Sequence, residues 1–464
     1  MNSKHLLITY SWSMNNIGDI GITPGLLNII GRADKSLPVK VIAWQPESSS
    51  DFQNVKDYLP NYKENCEVLP MPFVLEEGSG MKHFQAWRRF EERWGKSKLE
   101  SFRRGILTSF ESQDVVDDIL ERLSLDIFEE LKASRPEAAA AFENAGFVLY
   151  NSGTTLNFGR LGVRDLWGYT LPLAMSLIVA RRLGIPFGIG SQSFDALDWP
   201  MDLLYKKLFA DAAFVYCRDS DSLNYLKQRG LTASNSGYRP DTTFFFRGFD
   251  EKWADSFMAR HNLEEEKFMC ILLRISDSVA QYNDPTGGIV SEERKQEHMR
   301  KIAQFIEGWI EKTGNKVLIC HETRHTIDTV PKYLLPLLPK RLEDKIIYMD
   351  GFWTSEQAYS IFKRARIVTS MEMHSIIMAL NVGTPSIHNP FDEAGRKKWM
   401  MKDIGVADWL LDIDNIDDLT LLDTAISIHE NYETSKKRVK DMLPLLETKA
   451  MSTIAEVKSK WKNL

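Results

Sequence analysis

Short apolar runs alternate with longer amphipathic ones along the whole chain. In the first half the runs are HLLITY (5–10), VKVIAW (39–44), AGFVLY (145–150), PFGIGS (186–191) and AAFVYCR (212–218). In the second half FMCILLR (268–274), KVLICH (316–321), KIIYMD (345–350), ARIVTS (365–370) and TPSIHN (384–389) repeat the rhythm. Helical patterns fall between them, among them LPLAMSLIVARRLG (171–184) and SDSLNYLKQRG (220–230), which ends on Gly230 as a helix C-terminus does. Strands alternating with helices predict parallel sheets, and nearly continuous apolar strands agree with burial on both faces. The predicted fold class is α/β with two domains of similar size, residues 1–250 and 251–464, separated near FRGFDEKWADSF (246–257). The segment from about 78 to 140 departs from this rhythm. It is charged, rich in Trp, Phe and Arg, and helical in pattern, which predicts a helical insertion; its aromatic residues and arginines fit helix packing with a solvated face, with acceptor binding as the alternative. Residues 434–464 predict an amphipathic terminal helix.

Composition narrows the function classes. Hydrophobic residues make up 43% and charged residues 26%, as in ordinary soluble globular proteins. A net charge of −6 argues against a nucleic-acid partner held mainly through phosphate contacts, though not against a local basic pocket for a small anion. Of four cysteines, Cys217, Cys270 and Cys320 sit in apolar strand-like runs and read as small buried hydrophobes in a reducing compartment. The start MNSKHLLITYSWS carries no secretory pattern, and LPLAMSLIVA, bounded by Arg181 and Arg182, is too short to span a bilayer. The expectation is a cytoplasmic protein without stable membrane insertion; the oligomeric state is open.

In α/β folds ligands bind beyond the carboxyl ends of strands, so the residues there are the candidates. After the first strand comes SWSMNNIGDIGITPG, with Asn16, Gly18 and Asp19 in a tight loop. Thr23-Pro24 reads as an N-cap and first-turn proline, so that the loop opens on a helix N-terminus. There Asp19 suits a base or a hydroxyl acceptor better than an anion ligand. The strand at 145–150 ends in Asn151, Ser152 and Gly153, and the one at 186–191 in Ser191 and Gln192; both clusters fit a ligand crevice or plain turn chemistry. Arg218 and Arg274 end apolar runs, where a charge is costly unless paired or binding something. In IVTSMEMHSIIMAL, Ser370 closes a strand and a helix follows with Glu372, His374 and Ser375 in its first turn.

The stretch HETRH (321–325) fits the His-Glu-x-x-His pattern of zinc hydrolases. That motif needs a helix to bring both histidines to one face, whereas here it follows directly on the strand-like KVLIC. A chance match is the favoured reading, leaving His321 as a strand-end candidate.

Taken in order, NNIGDIGI, RDSDSLNYLKQRG with RPDTTFFF, LLRIS and TSMEMHSIIMALNVGTPSI resemble the polysaccharide pyruvyl transferase family, with the matching motifs in both halves. The resemblance implies two Rossmann-like domains facing a cleft, as in GT-B glycosyltransferases. It implies transfer of pyruvate from phosphoenolpyruvate, a co-substrate with no further cofactor or metal, to a pair of sugar hydroxyls as a ketal. The partners it implies are a small-molecule donor and a glycan or activated-sugar acceptor. On this resemblance His374 is the general acid, Arg274 an anion-binding arginine, and Asp19 a base or hydroxyl ligand. One departure stands out. The family's Arg-x-His reads Glu372-Met373-His374 here, which reverses the charge beside the donor unless Arg218, Arg239, His321, Arg324, Arg396, Lys397 or Lys398 compensates. Two alternatives follow from it: a glycosyltransferase using a nucleotide sugar, with Glu372 on sugar or ribose hydroxyls, or a non-catalytic sugar-binding relative.

Overall fold

The computed structural model describes residues 4–76, 79–158, 166–275, 290–324 and 326–461. These divide into two compact units, one of residues 1–14, 27–241 and 449–464, the other of residues 15–26 and 242–448. The units differ from a single cut at residue 250 in three places, the first being that residues 242–250 already belong with the second unit. The loop after the first strand belongs with the second unit, and the end of the terminal helix Tyr432–Ser459 belongs with the first.

The first unit holds a seven-stranded sheet in the order β3-β2-β1-β4-β5-β6-β7. Its strands are β1 (His5–Ser11), β2 (Val39–Ala43), β3 (Cys66–Leu69), β4 (Ala145–Tyr150), β5 (Phe187–Gln192), β6 (Val215–Cys217) and β7 (Ser236–Tyr238). Every pairing is parallel. β1 and β4 are buried along their whole length, which explains their unbroken apolar sequences. The helix Leu171–Arg182 is buried from Leu171 to Ala180. Its apolar character is that of a core helix, and no helix among the described residues is long and apolar enough to cross a membrane. Between β3 and β4 lie the helices Gln85–Trp94, Lys96–Arg103, Ser109–Asp118, Ser124–Ser134 and Pro136–Glu143. They turn Trp87, Phe90, Phe102 and Phe128 into one core with the sheet, while Arg93, Arg103 and Arg104 form ion pairs on the outside. The aromatic residues of this segment therefore serve helix packing.

The second unit holds a five-stranded parallel sheet in the order β10-β9-β8-β11-β12. Its strands are β8 (Phe268–Leu272), β9 (Lys316–Cys320), β10 (Ile346–Tyr348), β11 (Ile367–Ser370) and β12 (Ser386–His388). In each sheet the chain winds outward from one central strand, then crosses to the other side. The order therefore reverses between β1 and β4 in the first unit and between β8 and β11 in the second, the two places where such sheets open a crevice at their carboxyl ends.

Cys217, Cys270 and Cys320 are buried free thiols, as their sequence setting predicts. Burial pushes the Cys217 and Cys320 thiols well above the ordinary range, which keeps them protonated.

Candidate active site

The reversal between β8 and β11 gathers most of the predicted polar residues of the second unit. β11 ends at Ser370, whose Oγ accepts from the Glu372 backbone N–H (2.9 Å), and the helix Met373–Asn381 starts immediately after. Glu372 occupies the cap position but makes no side-chain cap bond. The cap comes from elsewhere: Glu322, just past the end of β9, accepts from both the N–H (2.9 Å) and the Oγ–H (2.5 Å) of Ser375 through its Oε2. A carboxylate satisfying a first-turn N–H and lying at the positive end of the helix is well placed by the dipole.

His374 lies one residue earlier on the same turn. Its Nδ1 is 3.1 Å from Asp19 Oδ1 and 3.8 Å from Glu322 Oε1. An ionised carboxylate only accepts, so Nδ1 carries the hydrogen in this contact. Asp19 is itself held. Asn16 caps the short helix Ile17–Ile20 by accepting from the backbone of Gly18 and Asp19, and its Nδ2 donates to Asp19 Oδ2 (2.8 Å). The loop is tied to Glu322 by the Ile17 N–H donating to the Glu322 carbonyl (3.1 Å). Gly18 leaves no room for a side chain: a Cβ there would come within 2.2 Å of His374 Cβ and 2.8 Å of Glu322 Oε1. The glycine is thus required by close approach rather than by turn geometry. Thr23 is not a cap, because the next helix already begins at Ile22 and Thr23 and Pro24 both lie in its first turn.

Glu322 is 1% exposed. Burial, with the Glu372 charge next, pushes its carboxyl from 4.5 to about 7, against the opposing pull of His374 and Ser375. It is therefore poised to exchange a proton near neutrality.

The charge reversal at position 372 is answered locally. Glu372 Oε1 lies 3.4 Å from Arg274 Nε, and Glu372 Oε2 lies 3.5 Å from Lys397 Nζ. Arg274 is 5% exposed and stacks over the Phe391 ring at 5.4 Å. Lys398 is committed to Asp412 (2.6 Å), and Arg324 is exposed beside the Phe352 ring.

Two expectations are corrected. His321 is fully buried, with Nδ1 on Thr326 Oγ1 (2.8 Å) and Nε2 on the Met349 carbonyl (2.7 Å). Both ring nitrogens join the end of β9 to its neighbours, so His321 is a structural link and not a ligand residue. The helix that a zinc motif would need begins only at Thr326, and His325 lies outside the described residues. In the first unit Arg218 is also buried, donating from Nη1 to Asp241 (2.7 Å) and from Nε to Ser193 Oγ (2.8 Å). It is one half of an internal ion pair, not a surface cation waiting for an anion.

The remaining candidates cluster at the carboxyl ends of β4 and β5. Asn151 Nδ2 donates to the Tyr10 carbonyl (3.0 Å), Ser152 Oγ to the Ser191 carbonyl (2.6 Å), and the Gln192 Oε1 accepts from the Thr155 N–H (3.1 Å). Gly153 is bare because a Cβ would meet Trp12 Cζ2 at 2.2 Å. These residues build the rim of the first sheet's switch point and are buried within it.

The sequence pattern of one family, polysaccharide pyruvyl transferase, matches residues 52–388, well over half of the chain. The chain belongs to the polysaccharide pyruvyl transferase family. The family's model thus takes in the β8–β11 switch point with Arg274, Glu322, Glu372 and His374, and the protein is a transferase. No curated protein sequence gives a significant match. Solved structures share the fold. UDP-GlcNAc 2-epimerase from Neisseria meningitidis, bound to UDP-GlcNAc, aligns with TM-score 0.54 at 10% identity over 98% of this chain and 100% of that one. The S. aureus MnaA–UDP co-structure aligns with TM-score 0.53 at 9% identity over 98% and 95%. Phytolacca americana UGT2, complexed with UDP-2-fluoro-glucose and pterostilbene, aligns with TM-score 0.50 at 12% identity over 99% and 100%. At such identities the likeness is one of fold: two Rossmann-like parallel sheets of the GT-B kind.

Glu322 and Lys397 complete the site. Lys397 is among the compensating cations that the sequence offers; Glu322 is hidden inside the HETRH match. Its position directly after an apolar strand is the same signal that marks Arg274 and Arg218.

Proposed function

We propose that the protein transfers pyruvate from phosphoenolpyruvate to two hydroxyls of a sugar, forming a ketal and releasing phosphate. The observation that carries this reading is His374 held at Nδ1 by Asp19 beside the buried, near-neutral carboxyl of Glu322. The reaction needs a proton delivered to the methylene carbon of the enol and protons removed from the attacking hydroxyls. With Nδ1 engaged by Asp19, delivery falls to Nε2 of His374. Protonation of the methylene carbon makes the neighbouring carbon, which bears the phosphate ester oxygen, electrophilic. One sugar hydroxyl adds to it, the C–O bond to phosphate breaks, and the second hydroxyl closes the ketal. Of the two hydroxyl protons, one ends on the new methyl group and one on phosphate. Asp19 holds one tautomer of the imidazole and faces the charge it carries when protonated. Its role is therefore that of a positioning residue rather than of the base. Glu322, whose Oε1 lies 3.8 Å from Nδ1, sets the charge beside the ring, and a proton from the attacking hydroxyl recharges Nε2. Arg274 and Lys397 supply the positive charge for the donor's phosphate and carboxylate.

The Arg274–Glu372–Lys397 arrangement also favours a second reading. Glu372 already balances both cations, which suits a donor presenting hydroxyls beside its phosphates, as a nucleotide sugar does. The two readings separate in one titration. Phosphate release from phosphoenolpyruvate with a glycan acceptor, abolished in His374→Ala, supports pyruvyl transfer. Release of UDP or GDP from a nucleotide sugar, with phosphoenolpyruvate inert, supports the second and sinks the first.

A further inference from the structure

The first unit carries an aromatic wall beside its switch point. Trp12 follows the end of β1 and Trp44 the end of β2; their rings stack at 5.4 Å and 27°. Tyr169 extends the row, 5.4 Å from Trp44. All three are only half-buried. Trp12 is fixed by its indole N–H donating to the Ser152 carbonyl (3.1 Å) and by the bare Gly153 beside its ring. The wall is therefore rigid before any ligand arrives.

A second, independent feature lies at the same strand ends. Ser11 Oγ and Gln45 Oε1 are buried, and neither has a hydrogen-bond partner among the described residues. Ser11 is 0% and Gln45 6% exposed. The Gln45 amide is not free to turn: its Nε2 donates to Asp51 Oδ2 (2.9 Å), which also accepts from Ser13 Oγ (2.7 Å), so Oε1 is held on the opposite side. A buried acceptor left without a donor is costly, and a folded protein tolerates it where something else supplies the hydrogen. β1 and β2 pair with Ser11 opposite Ala43, and Ser11 precedes Trp12 as Gln45 follows Trp44, so both unsatisfied oxygens belong to the same two strand ends as the stacked rings.

From this we infer that the carboxyl ends of β1 and β2 form a pyranose-binding subsite. The rings meet the apolar C–H surface of a sugar, and Gln45 Oε1 takes a hydrogen from one of its hydroxyls. An aromatic wall with a few fixed polar atoms is the usual make-up of a small-ligand site. The sugar binding rests on the first unit's own geometry and not on the pyruvyl-transfer reading above.

The test is saturation-transfer NMR and calorimetry on the full chain without any donor. The probes are methyl glycosides of common hexoses and N-acetylhexosamines, a UDP-hexose, and a short polyprenyl-phosphate-linked hexose. At least one of these is expected to bind, with transfer strongest to ring C–H protons, and the one that binds identifies the source of the sugar. Trp44→Leu and, as a milder change, Gln45→Leu are expected to weaken that binding at least tenfold with unchanged melting curves, while Phe110→Ala, at an exposed position elsewhere, leaves it unaltered. Binding of none of the probes, or equal affinity in Gln45→Leu and wild type, overturns the assignment. Because no donor is present, a failed phosphate-release assay does not decide this result, nor the reverse.

Discussion

Replacing Glu322 by Gln takes one ionisable group out of the site and keeps an acceptor for Ser375. In the wild-type protein burial holds this carboxyl at about 7, against 4.5 when unperturbed. At about 1.4 kcal/mol per pH unit, that difference amounts to about 3 kcal/mol. The folded chain binds this proton more tightly than the unfolded chain does. The carboxyl therefore costs nothing below about pH 4.5, costs progressively more as pH rises, and carries its full penalty once pH passes about 7. Glu322→Gln carries no such penalty. Relative to the variant, the wild-type protein should lose about 3 kcal/mol between pH 4.5 and 8, equivalent to roughly 6–12 °C in the melting temperature of a unit this size. Scanning calorimetry of both proteins across that range reads the difference directly. Parallel melting-temperature curves would refute the claim that Glu322 is a buried, near-neutral acid. The same variant should lower kcat, because an amide cannot carry the negative charge that Glu322 places beside the protonated imidazole of His374.

Further outcomes follow from the geometry of the two units. Gly18→Ala should cost about 1–3 kcal/mol in stability and displace His374, seen as a lower melting temperature and lost turnover, since the added methyl has no space. His374→Ala should reduce kcat by about 10²–10⁴-fold with circular dichroism unchanged, and Asp19→Asn, whose amide can present the wrong tautomer, should reduce kcat more than KM for either substrate. Glu372→Gln should release Arg274 and Lys397 from their shared carboxylate and tighten phosphoenolpyruvate binding about tenfold by calorimetry; unchanged affinity would remove both cations from the donor site. Arg218→Met should destabilise the first unit by about 3–5 kcal/mol in chemical denaturation because Asp241 stays buried and charged, and Arg218→Met with Asp241→Leu should recover most of that loss.

Much of the architecture is legible in the chain because parallel strands buried on both faces cannot hide their composition. Ten strands announce themselves as apolar runs. The two that do not are β3, CEVL, and β7, SGY, which are the two edges of the seven-stranded sheet. An edge strand needs less apolar cover, so its sequence carries a weaker signal. The candidate site was readable wherever a polar residue closes an apolar run: Arg274, Ser370 and His374 all stand at the β8–β11 reversal. What the chain could not reveal was pairing at a distance. Nothing near Glu372 in sequence shows that Arg274 and Lys397 share it. Nothing near Ser375 shows that its helix is capped by Glu322. His321 and Arg218 look identical to ligand residues in the sequence, since a buried ion pair and a substrate site both put polar groups at strand ends.

The proposed reaction turns on His374, held at Nδ1 by Asp19, protonating the donor's methylene carbon from Nε2. Incubation with [3-13C]phosphoenolpyruvate and an accepted glycan in D2O, followed by NMR of the product, tests it most directly. The expected product is a ketal methyl group carrying one deuterium, formed by the wild-type protein and not by His374→Ala. A product that retains the intact methylene, or a methyl-labelled ketal formed at the wild-type rate by His374→Ala, would contradict it.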